Sequence, residues 1–144
     1  MRIRLARAEE REALEDLQRR ASLAIGTYNE QLDAHPDAIH LPASQIALGA
    51  VLVAEQDGDI AGFAVLLDGE SRAELDGLFV EPARWRQGIG QALVGEAVHL
   101  ARQRGLSLVT VVAEPAARQF YEKCGFSIEG RADTRFGPAL RMSR

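Results

Sequence analysis

Residues Val80–Gly105 read VEPARWRQGIGQALVGEAVHLARQRG and are the most informative part of the chain. They predict the end of a strand, a loop rich in Arg and Gly, and a helix in which small and apolar residues recur at helical spacing. Gly88 and Gly90 stand where the loop becomes the helix, and Gly105 follows basic residues at its end. Because free amides at a helix start bind anions, we expect this loop to hold a phosphorylated ligand.

Two arginines, Arg84 and Arg86, add positive charge to the loop that suits a phosphate or pyrophosphate. The sequence does not match a Walker loop, because Gly90 is followed by Gln-Ala instead of Lys-Ser or Lys-Thr. A dinucleotide fingerprint would place a third glycine at the position of Leu93. Taken alone, Gly-Ile-Gly is also compatible with an ordinary turn and helix cap.

Length and composition predict one globular domain without a basic surface. The chain has 144 residues, 47% of them hydrophobic and 26% charged, and a formal net charge of −4. This charge gives no reason to expect nucleic acid or an anionic membrane as a partner. No apolar run reaches the ~20 residues of a membrane span. The N-terminus has no signal-peptide core, and Cys124 is the only cysteine. We therefore expect a single domain over residues 1–144, located in the cytoplasm.

The hydrophobic pattern predicts an α/β (α+β) domain with elements in the order β-α-α-β-β-β-α-β-α-β-β and a largely antiparallel sheet. The predicted strands lie at residues 3–5, 51–55, 60–67, 73–80, 106–113, 126–129 and about 134–142. Gly77 is a candidate bulge, and Pro138 marks an edge or a bulge. The least regular region, residues 26–49, is either a pocket wall or a solvated connection. Its candidate pocket residues are Tyr28, Asn29, His35, His40 and Gln45.

This order of elements resembles the GNAT superfamily of acetyl-CoA-dependent N-acetyltransferases over nearly the whole chain. LFVEPARWRQGIGQAL is similar to the family's acyl-CoA signature, and EPAARQFYEKCGF is similar to its Asn-x-x-Ala-x-x-Phe-Tyr-x-x-x-Gly-Phe. The resemblance implies a GNAT fold, with a mixed, largely antiparallel sheet of about seven strands flanked by about four helices. The chain departs from the family at Trp85, where Gln or Arg is usual, at Arg86, where Gly is common, and at Glu114, where Asn is usual.

For the cosubstrate acetyl-CoA, the resemblance implies contacts along the loop and two strands. Leu78, Phe79 and Val80 would separate from residues 106–113 and bond the pantetheine arm through their backbone. Glu114 and Ala117 would stand beside that arm. The pyrophosphate would take charge from Arg84 or Arg86 and hydrogen bonds from the backbone amides of Arg86, Gln87, Gly88, Ile89, Gly90 and Gln91. Trp85 would either pack over the adenine or stabilise the loop.

The resemblance also implies direct transfer of acetyl to a primary amine in a ternary complex, without a metal. Tyr121 would protonate the departing thiolate, since a phenol's pKa of ~10 is close to a thiol's ~8.5; alternatively, it is a packing residue. Glu74 and Asp76 share one strand face by alternation, and Glu74 ranks first as the general base for the amine. The three histidines show no metal-ligand spacing, and Cys124 is expected to be a packing residue.

Other interpretations stay open at this point. The chain is alternatively a non-catalytic acyl-CoA-binding or regulatory module, or an enzyme for a longer acyl group. The acceptor is not specified by any motif. Acidic residues near the expected cleft favour a cationic amine, such as a polyamine, an aminoglycoside-like compound, a lysine or a peptide N-terminus. The family also allows a homodimer that pairs through the last strands.

Overall fold

A single seven-stranded sheet forms the centre of the protein. The structure is a computed structural model and describes residues 1–144. The strands are β1 (Arg2–Leu5), β2 (Val51–Gln56), β3 (Asp59–Asp68), β4 (Arg72–Val80), β5 (Leu108–Ala113), β6 (Ser127–Thr134) and β7 (Gly137–Ser143). The helices are α1 (Arg11–Ile25), α2 (Asn29–Ala34), α3 (Ala43–Ala47), α4 (Ile89–Gln103) and α5 (Arg118–Lys123). The strand order is β1-β2-β3-β4-β5-β7-β6, and only β4 and β5 run parallel.

The sheet is covered on both faces because its two long helices are amphipathic. The apolar side of α4 is buried on one face, together with Tyr121 and Cys124 of the α5 region. The apolar side of α1, through Leu14, Leu17 and Ala21, is buried on the other face against β2 and β3. The expected GNAT fold with its mixed, largely antiparallel sheet is confirmed, and the predicted packing role of Cys124 agrees with its burial.

The predicted limits of the last two strands are wrong. The sequence suggested a strand over residues 126–129, a break, and a strand from about residue 134, whereas β6 continues to Thr134 and the turn is only Arg135-Phe136. An extra residue in β6 between Ile128 and Gly130 shifts its register against β7 and interrupts the alternation on which the prediction depended. Pro138 lies where β7 pairs with β6 alone, beyond the end of its pairing with β5.

A partly buried ion cluster fixes β1 to the start of α1. The guanidinium of Arg4 donates to both carboxylate oxygens of Glu10, at 2.9 and 2.8 Å, and to Glu55 at 3.1 Å. Glu10 also accepts the backbone N–H of Arg7 at 2.7 Å. The hydrogen bonds from Arg4 hold the pKa of the Glu10 carboxyl below its ordinary value. This carboxylate therefore stabilises the fold in its ionised form.

Candidate active site

A gap opens in the middle of the sheet where β4 and β5 separate. The two strands pair only from Arg72 opposite Leu108 to Leu75 opposite Val111. Beyond Leu75, β4 keeps its pairing with β3 on one side and has no strand on the other. The separation implied by the resemblance is therefore present, and it leaves one edge of β4 without sheet partners.

The pairing of β4 with β3 decides which backbone groups face the gap. The amide of Glu81 donates to the carbonyl of Ala61 at 2.8 Å, so Val80 and its partner Gly62 form a non-hydrogen-bonded pair. The N–H and C=O of Val80 therefore point away from β3, and those of Leu78 do the same by alternation. The backbone groups of Phe79 point toward β3, so the three predicted pantetheine contacts reduce to those of Leu78 and Val80.

A β-bulge in β4 lies at the start of the gap. Val65 of β3 pairs with Gly77 and Leu66 pairs with Leu75, which leaves Asp76 as the extra residue. The predicted bulge at Gly77 is thus present. A Cβ on Gly77 would lie 2.9 Å from the Phe79 ring, so the close approach explains the glycine. The bulge places Asp76 in the lining of the cleft at the gap.

The two candidate bases do not share a site. Asp76 lines the cleft together with Tyr121. Glu74 lies in the paired part of β4, opposite Thr110, and lines a separate depression with Arg72 and Arg141. Leu75 is the first residue of β4 that lines the cleft, so Asp76 lies in the cleft and Glu74 lies outside it. The Asp76 residue is exposed, but the partial desolvation that its carboxyl meets in the cleft raises its pKa above the ordinary value, toward the range of a useful base.

Tyr121 is positioned by aromatic packing. Its ring meets those of Phe120 and Phe126 edge to face, with centroids 5.1 and 5.6 Å away, and the residue is 8% exposed. The phenol oxygen makes no hydrogen bond within the chain and is not sealed from solvent, so it faces the cleft that Tyr121 lines. Burial, with smaller contributions from Cys124 and Glu114, raises the pKa of the phenol. Tyr121 therefore stays protonated at neutral pH, although its raised pKa makes it a weaker acid than an ordinary phenol.

The loop before α4 presents a row of free backbone amides. None of the amides of residues 86–91 donates to a group in the chain, and the first helical bond runs from Ala92 to the carbonyl of Gly88 at 3.0 Å. Gly88 has φ 81°, which glycine adopts without strain. A Cβ on Gly90 would lie 3.2 Å from the Phe120 ring. Such a row of donors at a helix N-terminus fits a pyrophosphate, as the sequence predicts.

The two loop arginines have different environments. Arg84 donates to Gln56 at 2.7 Å and lies 3.4 Å from Asp59, so it fastens the loop to the β2–β3 hairpin. Arg86 forms no ion pair and has φ 66°, a left-handed conformation that is strained for a residue with a side chain. On the opposite side of the loop, Arg20 holds Glu81 at 2.7 Å. Arg86 is thus the loop cation left available for an anion.

Trp85 ties the loop to the end of β4. Its indole N–H donates to the carbonyl of Val80 at 2.8 Å, and the residue is 39% exposed. This hydrogen bond favours the loop-stabilising role among the two left open by the sequence. Because the Val80 carbonyl faces the gap, the indole occupies one of its two acceptor positions.

The cleft has a volume of about 360 Å³, and its far wall comes from the region after α1 and from the β6–β7 turn. Tyr28 lines it, so the irregular region 26–49 contributes a wall, whereas Asn29, His35, His40 and Gln45 do not line it. Phe136, in the β6–β7 turn, lines it as well; the sequence placed residues 134–142 near the acceptor as a strand but did not single out this side chain. Glu114 and Ala117 line the side near α5, as expected for neighbours of a pantetheine arm.

No group of three or more His, Cys, Asp or Glu side chains comes together in a way that would hold a metal ion. No helix has the length and apolar character needed to cross a membrane.

Comparison with known proteins identifies the protein family. The model of the acetyltransferase (GNAT) family matches residues 11–126, so the chain belongs to the GNAT family. An uncharacterized N-acetyltransferase of Mycobacterium tuberculosis is 34% identical over 92 residues, which are 61% of this chain and 59% of that protein. Peptidyl-lysine N-acetyltransferase YjaB of Salmonella typhimurium is 40% identical over 83 residues, 58% of this chain and 52% of that protein.

Among solved structures, the PaiA N-acetyltransferase of Thermoplasma acidophilum in complex with coenzyme A superposes with a TM-score of 0.85. It is 22% identical, and the match covers 99% of this chain and 97% of that one. This likeness shows the fold. The matched regions span less than two thirds of the curated relatives' own length.

Proposed function

We propose that the protein is an N-acetyltransferase that moves acetyl from acetyl-CoA to a primary amine by direct attack in a ternary complex. The observation that carries this proposal is that Asp76 and Tyr121 line one cleft, at the point where β4 and β5 separate. One group is an acid–base carboxylate with a raised pKa, and the other is a phenol that stays protonated. A protein that only binds acyl-CoA would require neither a general base nor a proton donor in this cleft.

The chain offers complementary groups along the length of acetyl-CoA, which supplies the acetyl group as a thioester. The amides of residues 86–91 and the cation of Arg86 would hold the pyrophosphate. The outward backbone groups of Leu78 and Val80 would bond the pantetheine arm, which Glu114 and Ala117 would flank. An amide of this β4 edge would donate to the thioester carbonyl as negative charge develops there.

The side chains of the cleft would manage the protons. Asp76, directly or through a water, would take a proton from the ammonium form of the amine, since only the neutral amine is a nucleophile. Tyr121 would donate its phenol hydrogen toward the departing sulfur, because a thiolate leaves more readily when it is hydrogen-bonded or protonated. Glu74 has no part in this scheme, because it lies outside the cleft.

We also propose a cytoplasmic location, because the only cysteine is buried and unpaired, as suits a reducing compartment. A homodimer is proposed through β6, because this strand has a free edge and carries the exposed Ile128. Size-exclusion chromatography with light scattering tests the dimer.

Two measurements test the activity. Acetyl-CoA at ~100 times its dissociation constant is expected to add ~2.7 kcal/mol of stability, which a thermal melt reads as a rise of several degrees. Adenosine diphosphate and longer acyl-CoA thioesters are the comparison ligands. Tyr121→Phe is expected to keep this rise and to lose most thiol release with an amine. Full activity of that variant would contradict the proposed role of Tyr121, and an equal rise with adenosine diphosphate would favour a mere anion-binding module.

A further inference from the structure

The acceptor side of the cleft carries one carboxylate among side chains that are mostly apolar and otherwise neutral, the neutral polar ones being Gln18, Ser22, Thr27 and Thr134. Fifteen of the 22 residues that line the cleft are hydrophobic, and none of the 22 is Lys, Arg or His. The only charged side chains are those of Asp76, in the β4 bulge, and Glu114, which follows β5 on the cosubstrate side. The acceptor side therefore combines a single negative charge with uncharged, mostly apolar walls, to which Ile25, Tyr28 and Phe136 contribute.

Two segments that line this side also contact each other. The ring of Tyr28, just before α2, lies 5.7 Å from that of Phe136 in the β6–β7 turn. The neighbouring Arg135 reaches Asp37 at 3.3 Å and lies 5.4 Å from the Phe136 ring centroid. These contacts join the turn to the region after α1 at one edge of the cleft. A bridged edge beside a cleft of about 360 Å³ favours a small acceptor over an extended chain.

We propose that the acceptor is a small primary monoamine with an aromatic or aliphatic body and no carboxylate beside the amine. This inference rests on the proposed acetyltransferase function and specifies its substrate class. One ammonium matches the one carboxylate of Asp76, and the apolar body matches the surrounding side chains. A second ammonium, as in a polyamine, would lose its hydration without a partner, and a substrate carboxylate would meet Asp76 with no cation to offset the repulsion.

The reaction on this substrate balances as follows. The ammonium R–NH3+ gives one proton to Asp76, from which it passes to solvent. The nitrogen lone pair then forms the N–C bond to the acetyl carbon, and the C–S bond breaks with its electron pair going to sulfur. The sulfur takes up a proton, and the nitrogen releases one, so the products are the acetamide, coenzyme A thiol and one proton in total.

A panel of amines tests the proposal with the purified protein and saturating acetyl-CoA. The amines are 2-phenylethylamine, n-hexylamine, L-phenylalanine, spermidine and a short lysine-containing peptide. L-Phenylalanine differs from 2-phenylethylamine only by a carboxylate. We expect kcat/KM for the two monoamines, measured by thiol release, to exceed that of the other three at least tenfold. Calorimetric titration of 2-phenylethylamine into the protein with coenzyme A gives binding without turnover and is expected to show saturable binding.

Two variants connect the preference to the wall. Phe136→Ala is expected to weaken binding of 2-phenylethylamine and to raise its KM at least fivefold, while leaving the acetyl-CoA thermal shift unchanged. Leu48→Ala, which removes an exposed apolar side chain that does not line the cleft, is the control and is expected to change neither.

The outcomes separate this inference from the proposed function. Preferred turnover of spermidine, L-phenylalanine or the peptide would overturn the substrate class and support the acetyltransferase. Absence of calorimetric binding by 2-phenylethylamine, with an intact acetyl-CoA shift, would also overturn the substrate class alone. Absence of both the acetyl-CoA shift and thiol release with every amine would instead refute the function on which the inference rests.

Discussion

Replacing one carboxylate of β4 at a time tests which of them serves the reaction. Asp76→Asn and Glu74→Gln each remove one negative charge from the same strand with almost no change of side-chain volume. Asp76 lines the cleft beside Tyr121, whereas Glu74 lies in the paired part of the strand and in another depression. The two variants therefore differ mainly in whether the carboxylate that is removed lines the cleft.

The expected loss follows from what the cleft offers in place of Asp76. The only other carboxylate, that of Glu114, belongs to the cosubstrate side, so no side chain near the amine can replace the base. A general base contributes typically ~10²–10⁴-fold. This range corresponds to about 2.7–5.5 kcal/mol of activation free energy. We expect Asp76→Asn to lose at least ~100-fold in kcat/KM, and Glu74→Gln to stay within about twofold of the parent.

Stability is expected to move in the opposite direction from activity. Because burial raises the folded-state pKa of Asp76, the folded protein holds its proton more tightly than the unfolded chain does. The resulting contribution favours folding at low pH and is lost as pH rises through the raised pKa. At neutral pH the ionised carboxylate thus opposes folding, and Asp76→Asn is expected to melt at the same or a higher temperature.

The assay is thiol release across pH, at saturating acetyl-CoA, together with a thermal melt of each variant. The acid limb of the kcat/KM profile is expected to disappear in Asp76→Asn and to remain in Glu74→Gln. A variant at position 76 that keeps its activity and its acid limb would refute the role of Asp76. An equal loss from both substitutions would refute the argument from strand separation.

Other substitutions test the loop, α4 and the ion cluster at β1. Gly95→Ala is expected to add ~1 kcal/mol of stability, about 3 °C in a thermal melt, because the new Cβ enters open space. Gly90→Ala is expected to add no stability, because the new Cβ meets the Phe120 ring. Equal gains in the two variants would contradict this packing. Arg86→Gly should relieve ~1 kcal/mol of strain from the left-handed backbone conformation. It should also weaken acetyl-CoA binding roughly tenfold, as measured by calorimetry. An unchanged affinity would argue against a contact between Arg86 and a phosphate. Glu10→Gln should cost ~1.5 kcal/mol at pH 7 in urea unfolding. Because the folded pKa is lowered, this cost should decline once pH falls below the ordinary carboxyl pKa and vanish only below the lowered folded pKa; a pH-independent cost would contradict the ion pair.

The sequence by itself determined the parts of this protein that depend on local chemistry. Gly88 acts through its backbone freedom at the helix start. The apolar side of α4 and the aromatic residues around Tyr121 depend on helical spacing. Such properties are encoded within a few residues. Together with the order of strands and helices they were enough for the fold and for the anion-binding loop. The limits of β6 were mispredicted because an irregularity in its pairing with β7 breaks the alternation of two.

Only the tertiary structure decided which groups meet in the cleft. Glu74 and Asp76 are equivalent by alternation, and the place where β4 leaves β5 distinguishes them. Arg84 and Arg86 carry the same charge, and a contact with the distant Gln56 binds one of them and leaves the other available. Phe136 enters the site from a turn far along the chain. Each of these outcomes depends on non-local pairing or packing, whose partners lie tens of residues away and leave no periodic pattern in the sequence.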